Sequence, residues 1–467
     1  MRLNSVESLG RWKLSYLQNL PHILRLARCR KGGLSSRPSE HSPPINKEIA
    51  HMREVSIVGA GMVKFGKYLD TSMKVLARDA VNGALSSAGI EQKQIEAAVV
   101  GNAAAGLITG QECIRGQVVL REMGIGGIPI VNCENACASS STAFHLAHLY
   151  VASGMYDVVL ALGMEKLYHA DKKRTFAGFS GAVDVELVQQ LIADMNAQQA
   201  RLQAEREARG EAPNKAGGAG ESRSMFMDFY AAGARAHMMR YGTTREQFGR
   251  IAVKNHRNGS LNPNAQYQEV YSLEDILSSP MVADPLTRLM CSPIGDGAAA
   301  AILCASSVAH RYTSKPVKVL ASLLSSGSDH GADQPGVVPR VAKDAYEKAG
   351  VGPEDLSVIE LHDASAPAEL MTYEELGLCK LGEGGKMIDE GVTEISGRMP
   401  VNTSGGLLAK GHPVGATGVA QICEIFWQLR GEAGKRQVKN PKIGLTENGG
   451  GMVRAEAAAV SIHVFGI

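Results

Sequence analysis

One order of segments occurs twice in this chain, and that repeat limits the fold more than any other feature. Ala77-Arg78-Asp79-Ala80 lie in a helical stretch that leads through Ala88-Gly89 to an apolar run, Ala97 to Gly101. Ala342-Lys343-Asp344-Ala345 lie in a second such stretch, leading through Ala349-Gly350 to the run Leu356 to His362. Val131-Asn132 precedes a polar turn and a helix of small residues, and Val401-Asn402 precedes a glycine-rich turn and another helix. Asp157 to Gly163 answers Lys442 to Leu445. Gly295-Asp296-Gly297 before Ala298 to Ala305 answers Gly449-Gly450-Gly451 before Ala455 to Val464. Each half reads β-α-β-α-β plus an extra strand or two. A unit used twice fixes the architecture before any single motif does. Alternating strands and helices predict an α/β fold with a mostly parallel sheet and helices on both faces. The two halves should pack about a pseudo-two-fold axis, which brings their strand-to-helix turns together.

The first of those turns is Val131-Asn132-Cys133-Glu134-Asn135-Ala136-Cys137-Ala138-Ser139. Cys137 sits where the turn becomes a helix, facing unpaired N–H groups and the positive end of the helix dipole. Both favour thiolate, so the expectation is a lowered pKa and a nucleophile. Packing as a small buried hydrophobe is the competing reading on this stretch alone. The second turn, Gly411-His412-Pro413-Val414-Gly415-Ala416-Thr417-Gly418, is a rigid glycine-rich opening of a helix that can hold an imidazole in fixed orientation. A histidine there can take the proton of Cys137, as acyl transfer requires. His362 follows a strand directly and so stands at its carboxyl end, where ligands gather in doubly wound sheets. Asn448-Gly449-Gly450-Gly451 offers bare N–H groups suited to an oxyanion.

Composition narrows the function classes. The formal net charge of +2 over 467 residues gives no support for a nucleic-acid partner. The eight cysteines form no Cys-x-x-Cys pair, which argues against a zinc site and against a disulfide scaffold. No apolar run reaches the roughly 20 residues that span a bilayer. Residues 1–51 differ from the rest: Arg11 to Lys31 is basic, and Gly32 to Pro44 is rich in Ser and Pro. They read as a disordered, dispensable extension of a cytoplasmic protein, arising from a start upstream of Met52, or as a mitochondrial transit peptide. The opening Glu54 to Gly61 invites a dinucleotide reading, but Lys64 stands where the third glycine belongs. The expected domains are an N-terminal half, residues 52–312, and a C-terminal half, 313–467. An insertion from about Glu165 to Ser279 interrupts the first. Within it Val185 to Arg209 reads as a charged helix, Gly210 to Gly220 as a flexible segment, and Ser224 to Tyr241 as a helix whose Met225, Met227, Phe229 and Tyr230 are core packing. The insertion is placed to form a lid or ligand-holding domain beside the active face.

From about Arg53 to Ile467 the chain resembles the thiolase superfamily. The carriers are Asn135-Ala136-Cys137-Ala138-Ser139, Lys254-Asn255-His256, Asn262-Pro263, Ser292 to Ala298, His362-Asp363 and Gly411 to Gly418. His362-Asp363 is most similar to the sterol-carrier-linked and archaeal branch. The resemblance implies the layered α-β-α-β-α thiolase fold with an inserted loop domain, no bound cofactor, and coenzyme A and acyl-CoA as substrates. It implies that Cys137 takes the acyl group and that His412 deprotonates it. His412 and a water held by His362 would form one oxyanion hole, and the amides of Cys137 and the glycine turn, Gly449 among them, another. Ser292 and the insertion would line the pantetheine channel, and Val253 to His256 would support the fold. A homodimer is implied, with a small zinc-ribbon and OB-fold partner as an addition.

One departure matters. Such enzymes use a second acid/base, usually a cysteine. The place before the C-terminal glycines holds Glu447, and the place after His-Asp holds Ala364; Cys379 and Cys423 match neither. Either Glu447 substitutes, its carboxyl raised towards neutrality by burial, or another group or water does. The leading expectation is thiolytic cleavage of a 3-oxoacyl-CoA or the reverse Claisen condensation. A retro-aldol lyase acting on a CoA-linked side chain and an acyl-CoA-binding scaffold subunit are the alternatives.

Overall fold

The computed structural model describes residues 52–190, 224–331, 334–454 and 456–467. The basic leader and the Gly210 to Gly220 segment lie outside these residues. Of the expected charged helix, residues 185–190 are described and helical.

The first half contains β1 (Val55–Met62), α1 (Met73–Ala88), β2 (Ala97–Gly101), α2 (Arg115–Glu122), β3 (Ile130–Cys133), α3 (Ser139–Ala152) and β4 (Val158–Glu165). The insertion contributes α4 (Phe226–Tyr241) and α5 (Arg245–Ser260), after which β5 (Gly297–Ala305) closes the half. The second half contains β6 (Val317–Ser325), α6 (Val337–Ala349), β7 (Val358–Glu360), α7 (Ala366–Glu375), α8 (Thr417–Arg430), β8 (Ile443–Val453) and β9 (Glu456–Gly466).

The strands order as β3-β2-β4-β5-β1-β6-β9-β8-β7. β3, β2 and β4 are mutually parallel, as are β7 and β8, which is where the sequence alternates strand and helix. The extra strands join antiparallel, β5 to β4 and β1, β9 to β8 and β6. That is a larger antiparallel share than alternation alone predicts. β8 runs into β9 through a tight turn, and a hairpin can only pair antiparallel. The repeat is nearly complete: the counterpart of β3 in the second half shrinks to one parallel bridge, Ile359 to Val401. A short pairing of Val55–Ile57 with Val317–Val319 joins the two half-sheets.

Five layers result. α1 covers the outer face of the first half-sheet in one apolar cluster, and α6 covers that of the second in another. α3 and α8 lie between the half-sheets in the central cluster. α8 is buried on nearly every side, and its one polar stripe, Thr417, Gln421, Glu424 and Gln428, is satisfied internally, Gln421 by donating to Glu447 O and Glu424 by Arg436. Close packing explains the glycines of β1 without any ligand. A Cβ on Gly59 or Gly61 would come within 2.4 Å of the α1 backbone at Ala84. The starts of α3 and α8 also touch: a Cβ on Gly418 would lie 2.5 Å from Ser141 N. The small residues of both turns therefore let the two halves meet where the chemistry is carried.

Candidate active site

Cys137 lies inside a single 3-10 turn, Ala136–Ala138, from which α3 departs at Ser139. Ala136 holds φ at 48°, a left-handed conformation uncommon for a residue with a side chain, immediately before the sulfur. The turn of His412 meets it from the other half, and Cys137 Sγ is 3.3 Å from His412 Nε2. His412 Nδ1 is 2.7 Å from Thr417 Oγ1, and that hydroxyl donates to Pro413 O at 3.1 Å. A hydroxyl has one proton to give. With it committed to Pro413, Thr417 accepts from Nδ1–H, and Nε2 is left as an acceptor facing the thiol. The tautomer needed for a general base follows from Thr417.

The charge state differs from the expectation drawn from the helix dipole. Burial pushes the Cys137 thiol up to about 12, with the nearby Glu165 carboxylate adding to it. The N–H groups of Gly451 and of Cys137 itself point at the sulfur and oppose this. Loss of water outweighs two N–H groups and a helix terminus, because an anion loses more solvation than they return. Burial also holds His412 well below its ordinary value, with His362 and Lys410 adding to it. Burial lowers His362 to about 4. At rest the site holds a thiol and neutral imidazoles.

His362 stacks edge-on against His412 with ring centroids 5.2 Å apart, and its buried Nε2 has no hydrogen-bond partner among the described residues. Its backbone N–H donates to Glu447 Oε2 at 3.0 Å. The adjacent Asp363 is held by Asn255 Nδ2 at 2.8 Å and by Leu407 N–H at 2.7 Å. Lys254 pairs with buried Glu369 at 2.5 Å and donates to Val401 O at 2.7 Å. The Lys254-Asn255 pair thus supports the segment that carries His362. Glu447 is buried, and burial pushes its carboxyl up to about 7 against the pull of the His362 N–H. Its Oε1 lies 3.7 Å from where a Gly449 Cβ would stand, directly behind the site wall.

A cavity of about 1300 Å³ opens in front of these groups, lined by Cys137, His362, His412, Ser292 and Gly449. Glu447 is not in its wall. Ser292 is fixed there by its N–H, which donates to Ala364 O at 3.0 Å. Of the glycine turn, Gly451 supplies the N–H that faces the sulfur, two residues beyond the expected Gly449. Two wall residues were not expected from the sequence. Tyr230 of α4 faces the site, although the spacing of its helix reads as core. Cys291 lines the wall beside Ala364, its thiol donating to Thr287 O at 3.4 Å. No sequence signal marks either one. Lys67, Lys172, Arg288 and Arg454 add positive charge to the wall. Donor atoms of Cys137, His362 and His412 lie within 4.8 Å of one another, so the trio can also hold a thiophilic ion at the expense of the nucleophile.

Residues 55–307 match the family described as "Thiolase, N-terminal domain", and residues 334–463 match "Thiolase C-terminal domain-like". The chain belongs to the thiolase family. An acetyl-CoA acetyltransferase of Methanothermobacter thermautotrophicus is 39% identical over 419 residues, 89% of this chain and 100% of that protein. Sterol carrier protein 2 of Oryctolagus cuniculus is 36% identical over 438 residues, 90% of this chain and 73% of that protein. A solved structure described as an Ltp2-ChsH2(DUF35) aldolase shares the fold. Its TM-score is 0.68 at 24% identity, covering 89% of this chain and 98% of that one. The protein is a thiolase-like enzyme of the CoA-thioester acyltransferase family.

Proposed function

We propose that this thiolase-family enzyme cleaves a 3-oxoacyl-CoA by thiolysis, or runs the reverse Claisen condensation, through an acyl thioester on Cys137. The observation that carries the reading is the 3.3 Å contact of Cys137 Sγ with an Nε2 that Thr417 keeps unprotonated. Since the resting sulfur is a thiol, its proton moves to His412 as the sulfur bonds to the substrate carbonyl carbon. A negative oxygen then develops within reach of the Cys137 and Gly451 N–H groups, which are fixed before the reaction starts. The unpartnered Nε2 of His362 is placed to bind a second oxygen, directly or through water. Glu447, titrating near 7, stores a proton behind His362 and Gly449. Lys67, Lys172, Arg288 and Arg454 suit the phosphates of CoA, and Ser292 the pantetheine path. A homodimer, and a small zinc-ribbon and OB-fold partner, belong to the same reading.

The test is intact-protein mass spectrometry after mixing with acetyl-CoA and a panel of 3-oxoacyl-CoAs. The expected result is a mass gain that maps to Cys137 and disappears on adding CoA. CoA binding without any adduct would sink the reading in favour of a lyase or a scaffold.

A further inference from the structure

Thiolysis needs a second proton donor in contact with substrate, and neither usual cysteine position holds one: Ala364 and Glu447 stand there. Glu447 lies behind the cavity wall. Cys291 is in the wall, but its thiol is directed to Thr287 O. The wall also carries the hydroxyls of Tyr168, Tyr230, Tyr267, Tyr271 and Ser292. Of these, that of Tyr267 answers to Arg288, Tyr271 and Glu269, whereas the Tyr230 phenol stands close enough to Cys137, Glu447 and Asp363 to feel their charge.

Its position is built by the packing of α4. Tyr230, Ala234 and His237 fall at i, i+4 and i+7, one stripe of the helix. Ala234 and His237 are buried. His237 Nδ1 is 2.8 Å from Thr243 Oγ1, and Nε2 is 3.1 Å from Glu374 Oε2 on α7. A Cβ on Gly233 would lie 3.4 Å from Met371 Cε, also on α7. α7 follows His362-Asp363 after two residues, so the helix that carries Tyr230 is fixed to the element that carries His362. Tyr230 as a residue is half-buried, and among the described residues its hydroxyl has no hydrogen-bond partner. Buried phenols normally have one, and here the open side is the cavity.

We propose that Tyr230 is the acid/base that a second cysteine would otherwise supply. This rests on the acyl-transfer reading above and moves the direct proton contact from Glu447 to the phenol. The Cys137 sulfur adds to the C3 carbonyl as its proton goes to His412. The C2–C3 bond then breaks, and its electron pair goes to C2, giving the enolate of acetyl-CoA and leaving the shortened acyl group on Cys137. The Tyr230 hydroxyl protonates C2, and acetyl-CoA leaves. The phenolate takes the proton of an incoming CoA thiol. The CoA sulfur adds to the Cys137 thioester, the bond to Cys137 breaks, and the sulfur recovers its proton from His412. The Cys137 proton returns from His412, and the CoA thiol proton replaces the one that Tyr230 gave to C2. Burial raises the phenol, and Cys137, Glu447 and Asp363 raise it further when charged. It therefore holds its proton at neutral pH until carbon takes it, and its phenolate is basic enough for a thiol of pKa about 8.5.

The experiment compares Tyr230→Phe with wild type in two assays. One is acylation of Cys137 by acetyl-CoA, which needs no acid because the leaving group is a thiolate. The other is thiolysis together with deuterium incorporation at C2 in heavy water. The expected result is acylation within several-fold of wild type and a loss of about 10²- to 10⁴-fold in thiolysis and exchange. Met239→Ala, on the same helix at 79% exposure, should change neither. Acylation with undiminished exchange in Tyr230→Phe overturns this proposal alone. No acyl-Cys137 in wild type overturns the acyl-transfer reading and this proposal with it.

Discussion

The two strand-to-helix turns are built alike and used differently. Ala136–Ala138 is a 3-10 turn followed by the 14-residue α3, and Val414–Ala416 is a 3-10 turn followed by the 14-residue α8. The middle residue of the first turn is Cys137, and that of the second is Gly415. No side chain fits at Gly415: a Cβ would lie 2.8 Å from both Ala103 N and Met164 O, and its N–H donates to Glu165 Oε2 at 2.8 Å. The second turn is pinned into the first half, and its chemistry is displaced three residues upstream to His412. The comparison teaches that a two-fold repeat can make a nucleophile–base pair only by becoming unequal. One turn keeps its side chain, and the other gives it up so that the halves can close.

Cys137→Ala should remove acyl-enzyme formation, leaving less than about one part in a thousand of turnover, measured by intact mass and thiolysis. Gly415→Ala forces a Cβ against fixed backbone. It should cost about 1–3 kcal/mol of stability in denaturant unfolding, and it should slow acylation by moving His412. Thr417→Val leaves the Nδ1–H of His412 buried without an acceptor, and the proton then favours Nε2. Acylation should slow about 10- to 100-fold with the fold intact, since an unpaired buried donor costs about 1–3 kcal/mol.

Glu447→Gln is the smallest effect and sharpens the picture through pH. Burial raises the folded carboxyl from its ordinary 4.5 to about 7. The folded state therefore binds more protons than the unfolded chain between these values, and stability declines as pH rises from 4.5 through 7. The glutamine variant should be more stable than wild type at pH 8, by up to about 3 kcal/mol, and close to it at pH 4. Its rate profile should lose the limb near pH 7.

The layered fold was legible because the repeat is written in alternating apolar runs; that Gly59, Gly61 and Gly418 mark crossings with no room for a Cβ came from the packing. Cys137, His412 and His362 were legible because each sits at a strand end or helix start, where local sequence reports local geometry. The antiparallel share of the sheet was less legible, because pairing direction depends on where the extra strands return. Glu447 was seen as a candidate, but its place behind Gly449 was not.

By itself the sequence determined the two halves, the turns that face each other, and the residue types those turns present. These rest on periodicity and on the conformational demands of glycine, both local properties of the chain. Only the tertiary structure decided that Gly451 rather than Gly449 faces the sulfur, that the resting sulfur keeps its proton, and that Tyr230 stands in the wall. Solvation of a buried thiol is a sum over everything that surrounds it. The face a helix turns to a cavity is set by the partner it packs on, here α7 through His237 and Glu374.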